Sequence, residues 1–193
     1  MTDQAVALDR DDMRRTLVRI AHEIVEKNPP AALSGGSGLA LVGVQRRGAV
    51  LAERLRSLTS GLLGADIPCG SVDISFYRDD LGLRARSAQD MPVVHSTQLD
   101  FPLDERTVVI VDDVLYTGRT ARSAIDVLFD YGRPARVQLA VLVDRGHREL
   151  PIRPDYVGKN LPTARSQRVN VRVDEVDGAD EVTVTGLEGA QNR

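Results

Sequence analysis

The sequence predicts an α/β protein with a doubly wound, mostly parallel sheet, and three observations carry that expectation. Residues 39–44 and 108–111 are unbroken apolar runs, the second being Val108, Val109, Ile110 and Val111, as in strands covered on both faces. Each run opens into a short turn of glycine and polar residues, and a segment with helical apolar spacing follows. Strand and helix then alternate along most of the chain, which is the order of parallel βαβ units. At 193 residues, 42 % of them hydrophobic, the chain is long enough to bury a sizeable core, and a single domain over residues 1–193 is expected.

Met13, Leu17, Ile20, Ala21, Ile24 and Val25 recur at helical spacing in residues 11–27. Asp9, Asp11 and Asp12 suit the cap and first turn, and Asn28, Pro29 and Pro30 close the helix. The Ser34-Gly35-Gly36-Ser37-Gly38 connector precedes a strand instead of following one, so it is no dinucleotide fingerprint. The strand at 39–44 runs into Gln45, Arg46, Arg47 and Gly48, then a helix over 49–58. A strand that ends in basic residues and glycine offers guanidinium groups and backbone amides to an anion. Residues 72–77 predict a further strand. From Arg78 to Pro102, mixed charges with Gly82, Pro92 and Pro102 and little periodicity predict a long functional loop. Beyond the central run come an amphipathic helix over 121–129, a strand over 136–143 and a cap over 155–163. Residues 169–173 and 182–185, around Asp177-Gly178, predict a terminal hairpin.

The chemistry concentrates where the central strand ends. Asp112 and Asp113 follow the apolar run directly, at the carboxyl edge where open α/β sheets bind ligands, and strand alternation sends their side chains to opposite sides. Val114, Leu115 and Tyr116 then lead into Thr117, Gly118, Arg119 and Thr120, a turn with two hydroxyls and a glycine ahead of a helix. Backbone N–H groups at such a helix N-terminus suit a phosphate monoester. The turn lacks lysine and no G-x-x-x-x-G-K-[ST] occurs in the chain, which excludes a Walker A loop. Carboxylates repel a bare phosphate, but they hold ribose hydroxyls and a Mg²⁺ whose charge reconciles the two. A phosphorylated ribose carrying a metal-bound pyrophosphate meets that description.

Val108 to Thr120 resembles, at every position, the 5-phosphoribosyl-1-pyrophosphate (PRPP) motif of the type I phosphoribosyltransferases. The resemblance implies that family's fold, with a flexible lid hairpin over about residues 77–102, a small hood over about 144–170 and the C-terminal hairpin. It implies that residues 108–120 bind PRPP and that Asp112 and Asp113 hold the ribose hydroxyls and, through water, Mg²⁺. It also implies that Gln45, Arg46, Arg47 and Gly48 form the pyrophosphate loop, with Arg47 on the leaving group, and that Tyr77 and Arg78 contact substrate from the lid. Relatives often carry lysine at the place of Gln45, and such loops often contain a non-proline cis peptide.

Asp-Arg-Gly-His-Arg-Glu-Leu-Pro-Ile at 144–152, Asp-Tyr-Val-Gly-Lys-Asn at 155–160 and the stretch from Ser75 to Leu81 narrow the likeness. They resemble the PyrR family, pyrimidine-operon attenuators that are also uracil phosphoribosyltransferases. The chain departs from that pattern in the Gly/Ser insertion before Leu39, in the lid between Leu81 and Phe101, and at Val18, where relatives carry threonine. The likeness implies PRPP and uracil as substrates, UMP and UTP as bound nucleotides, a pyrimidine-operon mRNA hairpin as partner, and a homodimer or higher oligomer. Two other readings stay open on the sequence. A hypoxanthine-type purine phosphoribosyltransferase shares the central motif and a similar Pro-Asp-Tyr-Val-Gly turn, and an RNA-binding regulator with little catalysis would keep the pocket as a nucleotide sensor.

A formal charge of -3 does not announce a nucleic-acid binder, but the charge is unevenly spread. Residues 144–172 hold seven basic against three acidic residues, a net of +4, and residues 173–193 hold one basic against six acidic residues, a net of -5. Solvated surface is the usual reading of such runs. The family likeness turns the first into an RNA face of Arg145, His147, Arg148, Arg153, Lys159 and Arg165, joined by His22 with Arg15 and Arg19 on one side of the first helix. A lone cysteine, Cys69, excludes an intramolecular disulfide, and the histidines at 22, 95 and 147 lack zinc-site spacing. No apolar run is long enough to span a bilayer and no apolar leader opens the chain, so membrane attachment is not expected and a cytoplasmic location is.

Overall fold

The computed structural model describes residues 4–29, 38–75 and 96–186. Its centre is a five-stranded sheet in the order β3-β2-β4-β5-β6, made of β2 (Leu39–Val44), β3 (Cys69–Val72), β4 (Thr107–Leu115), β5 (Arg136–Asp144) and β6 (Tyr156–Asn160). All neighbours pair in parallel. Helices α1 (Arg10–Lys27) and α2 (Arg47–Leu63) cover one face and α3 (Arg119–Tyr131) the other. The β-branched run at 108–111 explains this arrangement: Val109 and Val111 are buried with Met13, Ile20, Leu51 and Leu55, while Val108 and Ile110 are buried with Ala121, Ala124 and Leu128. Asp9 and Asp12 close a capping box on α1, as the acid-rich start predicted.

The terminal hairpin is present as β7 (Arg168–Arg172) and β8 (Glu181–Thr185), joined through the short helix α4 (Asp174–Asp177). A strand absent from the sequence reading, β1 (Gln4–Leu8), pairs antiparallel with β8 and completes a three-stranded sheet. Its outer residues are exposed, Val6 at 61 %, so no apolar periodicity announced it.

Three other boundaries differ from expectation. The segment read as part of a cap contains β6, the edge strand of the main sheet. Only Tyr156 of that strand is fully buried, its hydroxyl donating to Gln138 Oε1 and accepting from Asn28 Nδ2, so the run lacked the usual strand pattern. Helix α2 is longer than the predicted 49–58 at both ends, and β3 spans Cys69–Val72; of the strand predicted over 72–77, residues 73–75 follow β3 without joining it and 76–77 lie outside the described residues. Strand β4 continues past the acids to Leu115, so Asp112 lies inside the ladder with β5, opposite Val141, but beyond β2, whose pairing with β4 stops at Gly43 and Val111. The predicted lid contacts Tyr77 and Arg78 lie outside the described residues.

Candidate active site

Strands β2 and β4 are neighbours, and the helices that follow them leave to opposite faces of the sheet. Where connections diverge in this way a crevice opens beyond the strand ends. Here it is a cleft of about 370 Å³ lined by Gln45, Arg46, Arg47, Asp112, Asp113 and Thr120, with Asp73 and Ser75 on its β3 side. The structure therefore gathers into one space the loop after β2 and the acids after the central run. Their separation is fixed at Gly48, where a Cβ would lie 2.5 Å from the Val111 carbonyl oxygen and 3.2 Å from Asp112 Cα. Only a residue without a side chain lets the first turn of α2 rest against β4 at the acids.

The two carboxylates are held by backbone donors. Asp113 N–H donates to Asp112 Oδ1 at 2.9 Å, and Val114 N–H donates to Asp113 Oδ1 at 2.7 Å. Burial, with the charge of Asp113 second, pushes Asp112 well above the usual carboxylate range. Burial raises Asp113 as well, while the Val114 N–H and the Arg47 charge pull it back down. Such a pair is short of positive charge. Among the described residues no group of three His, Cys, Asp or Glu side chains is placed to hold a metal ion by itself. Two adjacent oxygen donors suit Mg²⁺, a hard cation that takes one or two protein carboxylates and fills its shell with water and substrate phosphates.

Across the cleft, Gly118 stands at the N-cap of α3 with φ of 93°, and no side chain caps the helix. Its left-handed backbone selects glycine, and a helix N-terminus whose N-cap residue has no side chain suits an anion. Thr117 shapes the turn: its Oγ1 accepts from Arg119 N–H at 3.3 Å, and its carbonyl accepts from Glu149 and Leu150 N–H at 2.9 and 3.1 Å. The Arg119 side chain donates from Nε to Glu149 Oε2 at 2.9 Å, on the outside of this turn.

On the β2 side the Gln45–Arg46 peptide is cis. Gln45 donates from Nε2 to Ser71 Oγ at 2.9 Å, which fixes its amide, and Arg46 is exposed. Arg47 donates from Nε and Nη2 to the two carboxylate oxygens of Asp177 at 2.9 and 2.8 Å, a bidentate pair that lowers Asp177 to about 2. Asp73, Ser75 and Asp177 were missed by the sequence reading. Asp73 follows β3 much as Asp112 follows the central run, a signal that was there to be used; Asp177 carried none beyond its place in an acid-rich tail.

The predicted RNA residues fall into two groups. Arg145 is buried, with its guanidinium 4.2 Å from the Tyr116 ring centroid and donating to Thr163 Oγ1, Ala164 O and Gln167 O. Arg148 donates to Asp144, Tyr116 O and Ile152 O, and Lys159 donates to Ala7 O at 2.8 Å. All three engage donors inside the fold, Arg145 buried and Arg148 and Lys159 half-buried. His147 touches Thr163 O through Nε2 and packs edge-on against Tyr116. His22, Arg153 and Arg165 are exposed. Arg19 donates to the carbonyls of Val157 and Gly158, which ties the outer side of α1 to β6.

The arrangement defines a phosphoribosyltransferase, and the chain belongs to that family: residues 11–176 match the model of the phosphoribosyl transferase domain. Within it the chain belongs to the PyrR proteins. It is 52 % identical over 188 residues to the bifunctional protein PyrR of Acetivibrio thermocellus, covering 97 % of each chain, and 55 % identical over 185 residues to that of Deinococcus deserti, covering 96 % of each. Among solved structures, the hypoxanthine phosphoribosyltransferase of Trypanosoma cruzi in a ternary complex with its substrates superposes with a TM-score of 0.72 at 20 % identity over 97 % of both chains. The enzyme of that name from Staphylococcus aureus gives 0.64 at 18 %, covering 95 % of this chain and 93 % of the other. Those two likenesses establish the type I fold alone, so the purine reading of the sequence has only a shared architecture behind it.

Proposed function

We propose that the cleft transfers the phosphoribosyl group of PRPP to N1 of uracil, giving UMP and pyrophosphate, and that bound uridine nucleotide tunes the chain's affinity for a hairpin of pyrimidine-operon mRNA. The observation that carries the enzymatic part is the single cleft that joins two adjacent acids, the Arg47 guanidinium and Thr120 in the first turn of α3. In this reading Asp112 and Asp113 hold the ribose hydroxyls, and Thr117, Gly118, Arg119 and Thr120 surround the 5-phosphate. Arg47 faces the pyrophosphate, whose charge grows as the C1–O bond breaks and the N1–C1 bond forms. Mg²⁺, carried in with PRPP, would neutralise that leaving group from the carboxylate side. The chain would act as one domain, with the lid that bears Tyr77 and Arg78 excluding water, and assemble as a homodimer or larger oligomer in the cytoplasm.

For RNA the reading rests on family membership and on His22, Arg153 and Arg165, which remain open to solvent once the internally engaged arginines are set aside. The decisive experiment incubates the protein with Mg·PRPP and uracil, hypoxanthine or guanine and follows pyrophosphate. Release with uracil alone is expected; release with a purine alone would restore the rival enzyme. Binding of leader RNA with and without UMP tests the regulatory half.

A further inference from the structure

The acid-rich end of the chain, which reads as solvated surface in the sequence, is a clamp. Arg54, two turns along α2 from Arg47, donates to Glu175 at 2.9 Å and to Asp180 at 2.8 Å. Arg10 of α1 reaches Asp174 at 3.4 Å. Arg47 is the member of this set that also lines the active cleft, and its partner Asp177 is itself fixed. Val173 N–H donates to Asp177 Oδ2 at 3.0 Å, Asp177 N–H donates to the Val173 carbonyl at 2.7 Å, and Arg172 donates to the Asp177 carbonyl at 3.0 Å.

We propose that Asp177 is a positioning residue for phosphoribosyl transfer, holding the Arg47 guanidinium at the cleft mouth by its Nε and Nη2 edge so that Nη1 is presented to the departing pyrophosphate. This rests on the reading of residues 45–48 as the pyrophosphate loop. The geometry favours a hold over a competing latch, because with both hydrogen bonds made Arg47 still lines the space that contains Asp112 and Asp113. An unpaired arginine on a long flexible stem would be stronger as a bare charge toward the ground state. A held fork acts where charge develops, without reorganising at that moment. The loss on removing Asp177 therefore falls on kcat more than on KM.

Asp177→Ala is expected to lower kcat about tenfold with the KM for PRPP nearly constant, since a misplaced catalytic group typically loses rate in that range or beyond. Asp177→Glu should recover part of the loss. Glu175→Gln, which loosens Arg54 and leaves the Arg47 pair intact, should keep wild-type kcat. In an Arg47→Ala background, Asp177→Ala should add nothing, because the two side chains act as one unit. Unchanged kcat in Asp177→Ala, an equal loss in Glu175→Gln, or an additive loss in the Arg47→Ala background would overturn the proposal, the last two by making Asp177 merely structural. If Arg47→Ala itself retains full kcat, the pyrophosphate-loop reading fails and this inference with it. Melting temperatures of all variants distinguish a lost contact from a lost fold.

Discussion

Replacing Gly48 by alanine tests the frame of the site without removing a charged or hydroxyl side chain. The added Cβ would sit 2.5 Å from the Val111 carbonyl oxygen, where ordinary contact begins at 3.4 Å, so the first turn of α2 and the acid end of β4 must separate by up to 0.9 Å. A displacement near 1 Å between reacting groups costs on the order of 10²-fold in rate. The crowding itself should cost about 1–3 kcal/mol, as overpacked cores do. For a chain of this size that is a melting temperature lower by roughly 2–12 °C. The assay is pyrophosphate release with Mg·PRPP and uracil, run well below the melting point of the variant and paired with circular-dichroism melts. Gly61→Ala is the control: it lies in the same helix with nothing within 4 Å of the new Cβ, and it should stabilise the protein by about 0.5–1 kcal/mol. A Gly48→Ala protein with wild-type turnover and melting temperature would refute the close seating of α2 on β4, and with it the account of how the acids and Arg47 are spaced.

Asp112→Asn should lower turnover by about 10²-fold or more, the usual loss when an electrostatic group is removed, while raising the melting temperature at neutral pH. The sign follows from its raised folded-state pKa: wild-type stability falls as pH rises from the unfolded value of 3.8 through the higher native value, so the gain from asparagine is full above that window and vanishes below it. Melts from pH 3.5 to 8 check this, and a constant difference would contradict it. Arg145→Ala should destabilise the fold by on the order of 2 kcal/mol through its lost charged hydrogen bonds, visible in urea titrations, and any loss of RNA affinity should track the loss of folded protein. His22→Ala and Arg153→Ala should weaken leader-RNA binding at an unchanged melting temperature and leave uracil transfer intact; wild-type RNA affinity in the double variant would remove that face.

Much of the architecture was legible because a few residues report on it strongly. A run such as 108–111, β-branched and without polar interruption, has few folding solutions other than a strand buried on both faces, and two acids immediately after it mark a ligand edge. Elements whose residues are shared between solvent and core were harder to see. β1 buries only Leu8 fully, and β6 only Tyr156, so neither shows a period. The extension of β4 past Asp113 was hidden for a different reason: carboxylates are poor strand formers, and it is the pairing of Asp112, Val114 and Leu115 with β5 that carries the ladder past them. Pairing between distant charges left no local trace at all. Nothing around Arg47 or Asp177 announces the other, since 130 residues separate them and the pair exists only once the terminal sheet has docked.

The same asymmetry bears on how charge counts are read. The excess of +4 over residues 144–172 looks like an anion-binding surface, yet Arg145, Arg148 and Lys159 deliver most of their donors to backbone carbonyls and to Asp144. The deficit that follows is matched in the fold by Arg10, Arg47 and Arg54. Several charges of both runs are therefore paired within the fold, while Arg153, Arg165 and Arg168 stay exposed. A surface built from a few exposed groups such as His22, Arg153 and Arg165 neutralises few phosphates from one subunit, so its affinity depends on a second copy or on recognition of unpaired bases. The slope of log affinity against log salt measures this directly. A slope no steeper than two arginine contacts allow, about -1.4 for single-stranded RNA, fits one such face; a slope near twice that fits two subunits presenting their faces together.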